Sequence, residues 1–161
     1  MLEEIQITKE ILKQQIQNKK ILAIDFGEKR IGLATTDKFH ISLNPLPVVI
    51  NDGESSISKI NEIIKRENIE FLVIGFPFSK NGQIGKIQNL IYEFKENLSK
   101  LINLPFVFWD ESGTSKSAVE KMINTGIKKN KRREKANIDR FAAVSILQNF
   151  LFENEGINYE L

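Results

Sequence analysis

The stretch Ile21–Gly27, ILAIDFG, and the stretch Arg30–Thr36, RIGLATT, decide the fold. The first is apolar without a break until Asp25, as expected of a strand covered on both faces. Only Glu28 and Lys29 separate the two, which predicts an antiparallel hairpin. A third, shorter strand is expected at Pro47–Ile50, PVVI, and Asn51–Ser56 carries turn and cap chemistry.

The pattern then alternates. Ile57, Ile60, Ile63 and Ile64 are spaced for a helix, and FLVI (Phe71–Ile74) reads as a buried strand closed by Gly75 and Pro77. Ile84, Ile87, Ile91, Phe94 and Leu98 mark a long amphipathic helix, and FVFW (Phe106–Trp109) is another strand. Ala118, Val119, Met122 and Ile123 predict a helix ending before Gly126, and a last helix is expected from about Ile138 to Phe152. The fold class is therefore α/β. It comprises a mixed five-stranded sheet, with hairpin strands first and parallel strands after, and helices on both faces. Residues 20–161 form one domain. Residues 1–19 form a helical extension, with Thr8 as its cap and Ile11, Leu12 and Ile16 as its apolar stripe.

Composition excludes several chemistries. The 161 residues contain no cysteine, so disulfides, thiolate catalysis and cysteine-zinc sites are out. His40 is the only histidine, which rules out a multi-histidine metal site. No apolar run reaches the roughly 18 residues that span a bilayer. The polar start from Met1 to Lys20 is not a secretory signal, and the expected compartment is the cytoplasm. Net charge is only +2, but KKNKRREK (Lys128–Lys135) alone carries +5. Of the 23 basic and 21 acidic residues, 17 and 20 lie elsewhere, so the remaining body is −3. Such a run suits a phosphate backbone, although a solvated loop would have the same composition.

Acids stand where an α/β sheet binds ligands, beyond the carboxyl ends of its strands. Asp25 ends the first strand, with Gly27 allowing a tight turn beside it. Asp110 and Glu111 end the last strand. Asp139 shares a helical face with Ala142, Ala143, Ile146 and Phe150, where a carboxylate is costly unless a cation neutralises it. Convergence of Asp25, Glu111 and Asp139 would recruit a hard divalent cation, Mg²⁺ or Mn²⁺. Taken singly, each acid also has a structural use as a turn or helix cap. Lys29 and Arg30 in the first hairpin turn, and Thr114, could meet phosphate or simply be solvated or capping.

Four blocks, ILAIDFGEKRIGLATTD (Ile21–Asp37), VIGFPFSKNGQIG (Val73–Gly85), WDESGTSKSA (Trp109–Ala118) and NIDRFAAVSILQNFL (Asn137–Leu151), together resemble the YqgF/RuvX family in order and spacing. The resemblance implies an RNase H-like fold related to the Holliday-junction resolvase RuvC. It implies a divalent-metal phosphodiesterase that processes the 5′ end of pre-16S ribosomal RNA, with Asp25, Glu111 and Asp139 as its acidic set and Mg²⁺ or Mn²⁺ as its cofactor. One departure is visible. The family's third block reads Asp-Glu-Arg-Leu-Thr, whereas this chain has Ser112 and Gly113 in place of the arginine and leucine. Lys116 is the nearby cation that could replace the lost arginine.

The nucleic-acid contacts expected are Lys29, Arg30, Thr114, Lys116, Lys128, Lys129, Lys131, Arg132, Arg133 and Lys135. The expected partner is structured RNA, with a DNA junction as the alternative. A homodimer is left open, and no membrane is expected. Two competing readings are a Holliday-junction-resolvase-like DNA endonuclease and an RNA-binding ribosome assembly factor that does not cleave. An Asp-x-Gly turn after the first strand also occurs in actin-like ATPases, but these need two such domains, and 161 residues are too few.

Overall fold

A computed structural model describes residues 10–79, 81–110 and 135–156, the side chains of 135–140 excepted. Five strands form one sheet: β1 (Ile21–Phe26), β2 (Arg30–Thr36), β3 (Leu43–Ile50), β4 (Phe71–Phe76) and β5 (Phe106–Asp110). Their order across the sheet is β3-β2-β1-β4-β5. The first three strands form an antiparallel meander, whereas β4 runs parallel to β1 and β5 parallel to β4. This is the expected mixed sheet. Strand β1 is central, with a hairpin on one side and crossover strands on the other.

Residues 10–16 are helical (α1). Helices α2 (Glu54–Arg66), α3 (Lys86–Ser99) and α4 (Lys135–Glu155) complete the described elements. The expected helix around Ala118–Ile123 lies outside the described residues.

Strand alternation divides β1 between two cores. Leu22 and Ile24 join Ile60 and Ile64 of α2 and Ile91 and Phe94 of α3 on one face. Ile21 and Ala23 join Leu12 and Ile16 of α1 and Ala143, Ile146 and Phe150 of α4 on the other. Both faces are thus covered, which is why β1 reads as an unbroken apolar run.

Three expectations shift. Ile11 does not join the α1 stripe; it is half exposed, and only Leu12 and Ile16 are buried. Strand β3 is longer than PVVI, starting at Leu43 and holding both Pro45 and Pro47. An outermost strand tolerates proline because its missing N–H can face away from the ladder. Helix α4 is also longer than expected at both ends.

The end of the sheet where β1 begins is tied by His40. Its Nε2 lies 2.7 Å from the Lys19 carbonyl and its Nδ1 2.9 Å from the Glu155 carboxylate. The ring therefore joins the β2–β3 loop, the approach to β1 and the end of α4. His40 is buried and has φ +57°, a left-handed conformation that histidine adopts more readily than most side chains. It sits at the opposite end of β1 from Asp25.

Candidate functional site

Asp25 is the fifth residue of β1, next to last in the strand, and half-buried. It shares the strand face of Ile21 and Ala23, both of which pack toward α4. Its antiparallel partner on β2 is Gly32. Ile24 pairs with Ile74 of β4, so Gly75 stands at the level of Asp25 on the other side. Both neighbouring strands therefore offer a glycine beside the carboxylate. The two cross-strand positions directly beside Asp25 therefore carry no side chain, and both glycines are buried.

One strand further, Gly75 pairs with Trp109 and Phe76 with Asp110. Trp109 has Asp25's face. It packs edge-on against Phe150 of α4 at 5.1 Å and donates its indole N–H to Asn149 at 2.8 Å. Asp110 falls on the opposite face, with Phe108 and Phe76. Of the acids that end described strands, Asp25 alone is aimed toward α4.

Arg30 opens β2 two residues before Gly32, so it has the same face as Asp25 and lies diagonal to it, roughly 7–8 Å away between backbone positions. It is half-buried, and among the described residues no carboxylate forms an ion pair with its guanidinium. Lys29 is exposed in the preceding turn.

The turn itself is locked. A Cβ on Gly27 would come within 2.4 Å of the Arg30 carbonyl oxygen, so only glycine fits there without backbone movement. The Asn51 side-chain amide donates to the Gly27 carbonyl at 2.8 Å, and the Asn51 backbone N–H donates to Lys29 at 2.9 Å. On the α3 side, Glu28 meets the Lys86 ammonium at 3.3 Å. The following β4–α3 loop is pinned by Gln88. It donates to the Pro77 carbonyl and accepts the Gly85 N–H, both at 2.9 Å.

No local sequence pattern marks Asn51 or Gln88 as a site residue. Asn51 showed only as turn chemistry, and its contact reaches back 24 residues.

Asp139 and Lys135 lie on α4, but their side chains are outside the described residues. Asp139 precedes Ala142 and Ala143 by three and four residues, the helical register of the buried stripe. Glu111, Thr114, Lys116, Lys128, Lys129, Lys131, Arg132 and Arg133 lie outside the described residues altogether. Among the described residues no group of three acids or histidines gathers. Among them, too, no helix is long and apolar enough to cross a membrane.

The described donor suits a hard cation. Asp25 offers carboxylate oxygen, the chain has no cysteine, and its one histidine is engaged at the far end of β1.

The family model described as "RuvX: Holliday junction resolvase" matches residues 19–153. A protein of Malacoplasma penetrans named "Putative pre-16S rRNA nuclease" is 44% identical over 139 residues, 83% of this chain and 94% of that one. A Sulfurihydrogenibium protein of the same name is 40% identical over 146 residues, 87% of this chain and 97% of that one. Among solved structures, Thermus thermophilus RuvC in complex with a Holliday junction substrate superposes with a TM-score of 0.52. It covers 84% of this chain and 95% of that one at 15% identity, a likeness of fold.

Proposed function

This chain belongs to the RuvX family, and from that premise we propose that it is a metal-dependent nuclease that hydrolyses phosphodiester bonds in structured RNA, with the 5′ end of pre-16S rRNA as its substrate. The observation that carries the reading is the setting of Asp25. It stands at the carboxyl end of the central strand, flanked by Gly32 and Gly75, with Arg30 diagonal to it on the same face. Ligand sites in such sheets lie beyond this edge.

We assign the second and third carboxylates to Glu111 and Asp139. In sequence Glu111 stands two residues after Trp109, whose face is that of Asp25, whereas Asp110 falls on the opposite face. Asp139 belongs to the helical register of Ala142 and Ala143. These three acids would hold Mg²⁺ or Mn²⁺, which when bound stabilises negative charge on the phosphodiester as a Lewis acid.

The chain's own groups bind and orient the substrate. The Arg30 guanidinium can grip a phosphate by two parallel N–H donors, and its half-buried setting strengthens that contact over one in open solvent. The basic run Lys128–Lys135, together with Lys29, Thr114 and Lys116, would hold the flanking backbone. We place catalysis in residues 20–161, in the cytoplasm.

The test is cleavage of a precursor-rRNA fragment by purified protein with Mg²⁺ or Mn²⁺, and with chelator. Cleavage should need the cation and vanish in Asp25→Asn. Undiminished cleavage by a clean Asp25→Asn preparation would overturn the assignment. If RNA binding persists while the cleavage that requires Asp25 cannot be detected, the non-cleaving assembly-factor reading takes its place.

A further inference from the structure

Strand β5 lies at the rim of the sheet, with β4 as its one neighbour among the described strands. Helix α4 packs chiefly over β1, β2 and β3, on Asp25's face. Trp109 closes the distance between helix and rim. It stands one strand beyond Gly75 in the row that holds Asp25. Its ring meets that of Phe150 at 88°, and Phe150 is fully buried and stacks in turn on Phe71 of β4 at 6.2 Å. The surface under the indole is therefore fixed by the core. An edge-on contact does not by itself select one flip of a ring about its last torsion. The 2.8 Å bond to Asn149 does, because the indole N–H is the ring's only donor. Asn149 itself is exposed in mid-helix, where alanine or glutamine would serve α4 better. What distinguishes the position is the acceptor oxygen turned toward Trp109.

The two partners sit on the elements that carry acids of the proposed site. In sequence Glu111 follows Trp109 by two residues. Asp139 precedes Asn149 by ten on the same unbroken helix, about 15 Å along its axis. Near its C-terminal end α4 is pinned to His40 through Glu155. A rim strand is held by a ladder on one side only, and the last described β4–β5 pair is Phe76 with Asp110. A hard cation tolerates little spread among its oxygen ligands, Mg²⁺ least of all.

We propose that Trp109 and Asn149 act as one strut that sets the spacing of Glu111 and Asp139, and with it the grip of the acidic site on a divalent cation. Both are positioning residues. The inference rests on the proposed acidic set and extends it to two residues that carry no charge.

The experiment titrates Mn²⁺ into the full-length protein without RNA, in about 0.15 M salt, and reads free Mn²⁺ by its electron paramagnetic resonance signal. The parent should bind the ion and Asp25→Asn should not. Asn149→Ala should weaken binding about tenfold while melting with the parent, since the residue is exposed. Trp109→Phe, which keeps a ring but loses the N–H, should do the same, and the double variant should be no weaker than either single one. Asn149→Asp keeps an acceptor oxygen and should bind as the parent does. Its added charge lies farther along α4 from Asp139 than the screening length of about 8 Å. The strut is overturned if Asn149→Ala binds Mn²⁺ like the parent, or if the two single losses add. Binding that depends on Asn149 in a protein that never cleaves RNA would sink the nuclease reading and keep the strut. Cleavage with an Mn²⁺ affinity indifferent to Asn149 would do the reverse. Binding by the parent that survives Asp25→Asn undiminished would overturn both.

Discussion

The side-chain amide of Asn51 holds the carbonyl of Gly27 at 2.8 Å, so the end of β3 clamps the turn that follows Asp25. A second bond, from the Asn51 N–H to the Lys29 carbonyl, fixes the other side of that turn. Asn51→Ala removes the side-chain bond and leaves the partly buried Gly27 carbonyl without that donor. The expected loss is about 1 kcal/mol of stability, seen as a lower urea midpoint. If Asn51 positions the carboxylate, kcat should fall while KM for the RNA stays near the parent value. A variant that melts earlier but keeps its full kcat at low temperature would limit Asn51 to a structural role.

Two glycines should respond differently to the same change. Gly27→Ala drives a Cβ to 2.4 Å from the Arg30 carbonyl oxygen, and backbone on both sides must move. A loss of roughly 1–3 kcal/mol is expected, with cleavage falling too, because the displaced turn lies between Asp25 and Arg30. Gly53, at the start of α2, has φ +84° and nothing near its missing Cβ. Gly53→Ala should cost about 1 kcal/mol through backbone strain alone and leave cleavage intact. Chemical denaturation and single-turnover rates on the two variants separate these outcomes.

Arg30 should act on affinity. Arg30→Ala is expected to weaken RNA binding and to reduce the slope of log K against log salt by about 1, the signature of one lost phosphate contact. Arg30→Lys should recover the slope but only part of the affinity, since an ammonium lacks the two-pronged donor geometry. An unchanged salt slope in Arg30→Ala would show that the residue does not touch phosphate.

Asp37 gives a pH test remote from the site. Partial burial works against its ionisation, yet the Ser42 hydroxyl and the N–H groups of Ile41, Ser42 and Phe39 outweigh that, drawing its pKa from 3.8 down to about 2. A carboxyl whose pKa is lowered by folding stabilises the protein at pH above its ordinary value, and that contribution fades as pH falls from 3.8 through about 2. Solvent reaches the group, so the contribution is on the order of 1 kcal/mol. The stability gap between the parent and Asp37→Asn should be flat from neutral pH down to about 5 and should close below about 4. A gap equally wide at acid and neutral pH would refute the attribution.

The hairpin and the crossovers were legible because burial on both faces writes itself as unbroken apolar runs, as in ILAI and FLVI. Strand β3 was half legible. Its first residues, Leu43–Leu46, contain Pro45, and a local reading treats proline as a stop, whereas position at the sheet edge makes it harmless. The place of Asp25 followed from one strand and one glycine. The face of Arg30 did not, because it depends on pairing with β1, which no local pattern states. Asn51 was hidden for a similar reason: its partner is a backbone carbonyl, and a carbonyl has no letter in the sequence. Trp109 closes FVFW, a motif that reads only as a strand, and Asn149 is one polar residue in a helix. Their hydrogen bond exists only once α4 lies across the sheet.

Pro45 and Pro47 have a consequence for life in a crowded solution. At the β3 edge the outer ribbon is short of two amide donors, so a stray extended peptide finds no continuous ladder to extend on that side. A protein built on strands as greasy as these would otherwise be a template for fibril-like growth, and two imino acids on that flank guard against it.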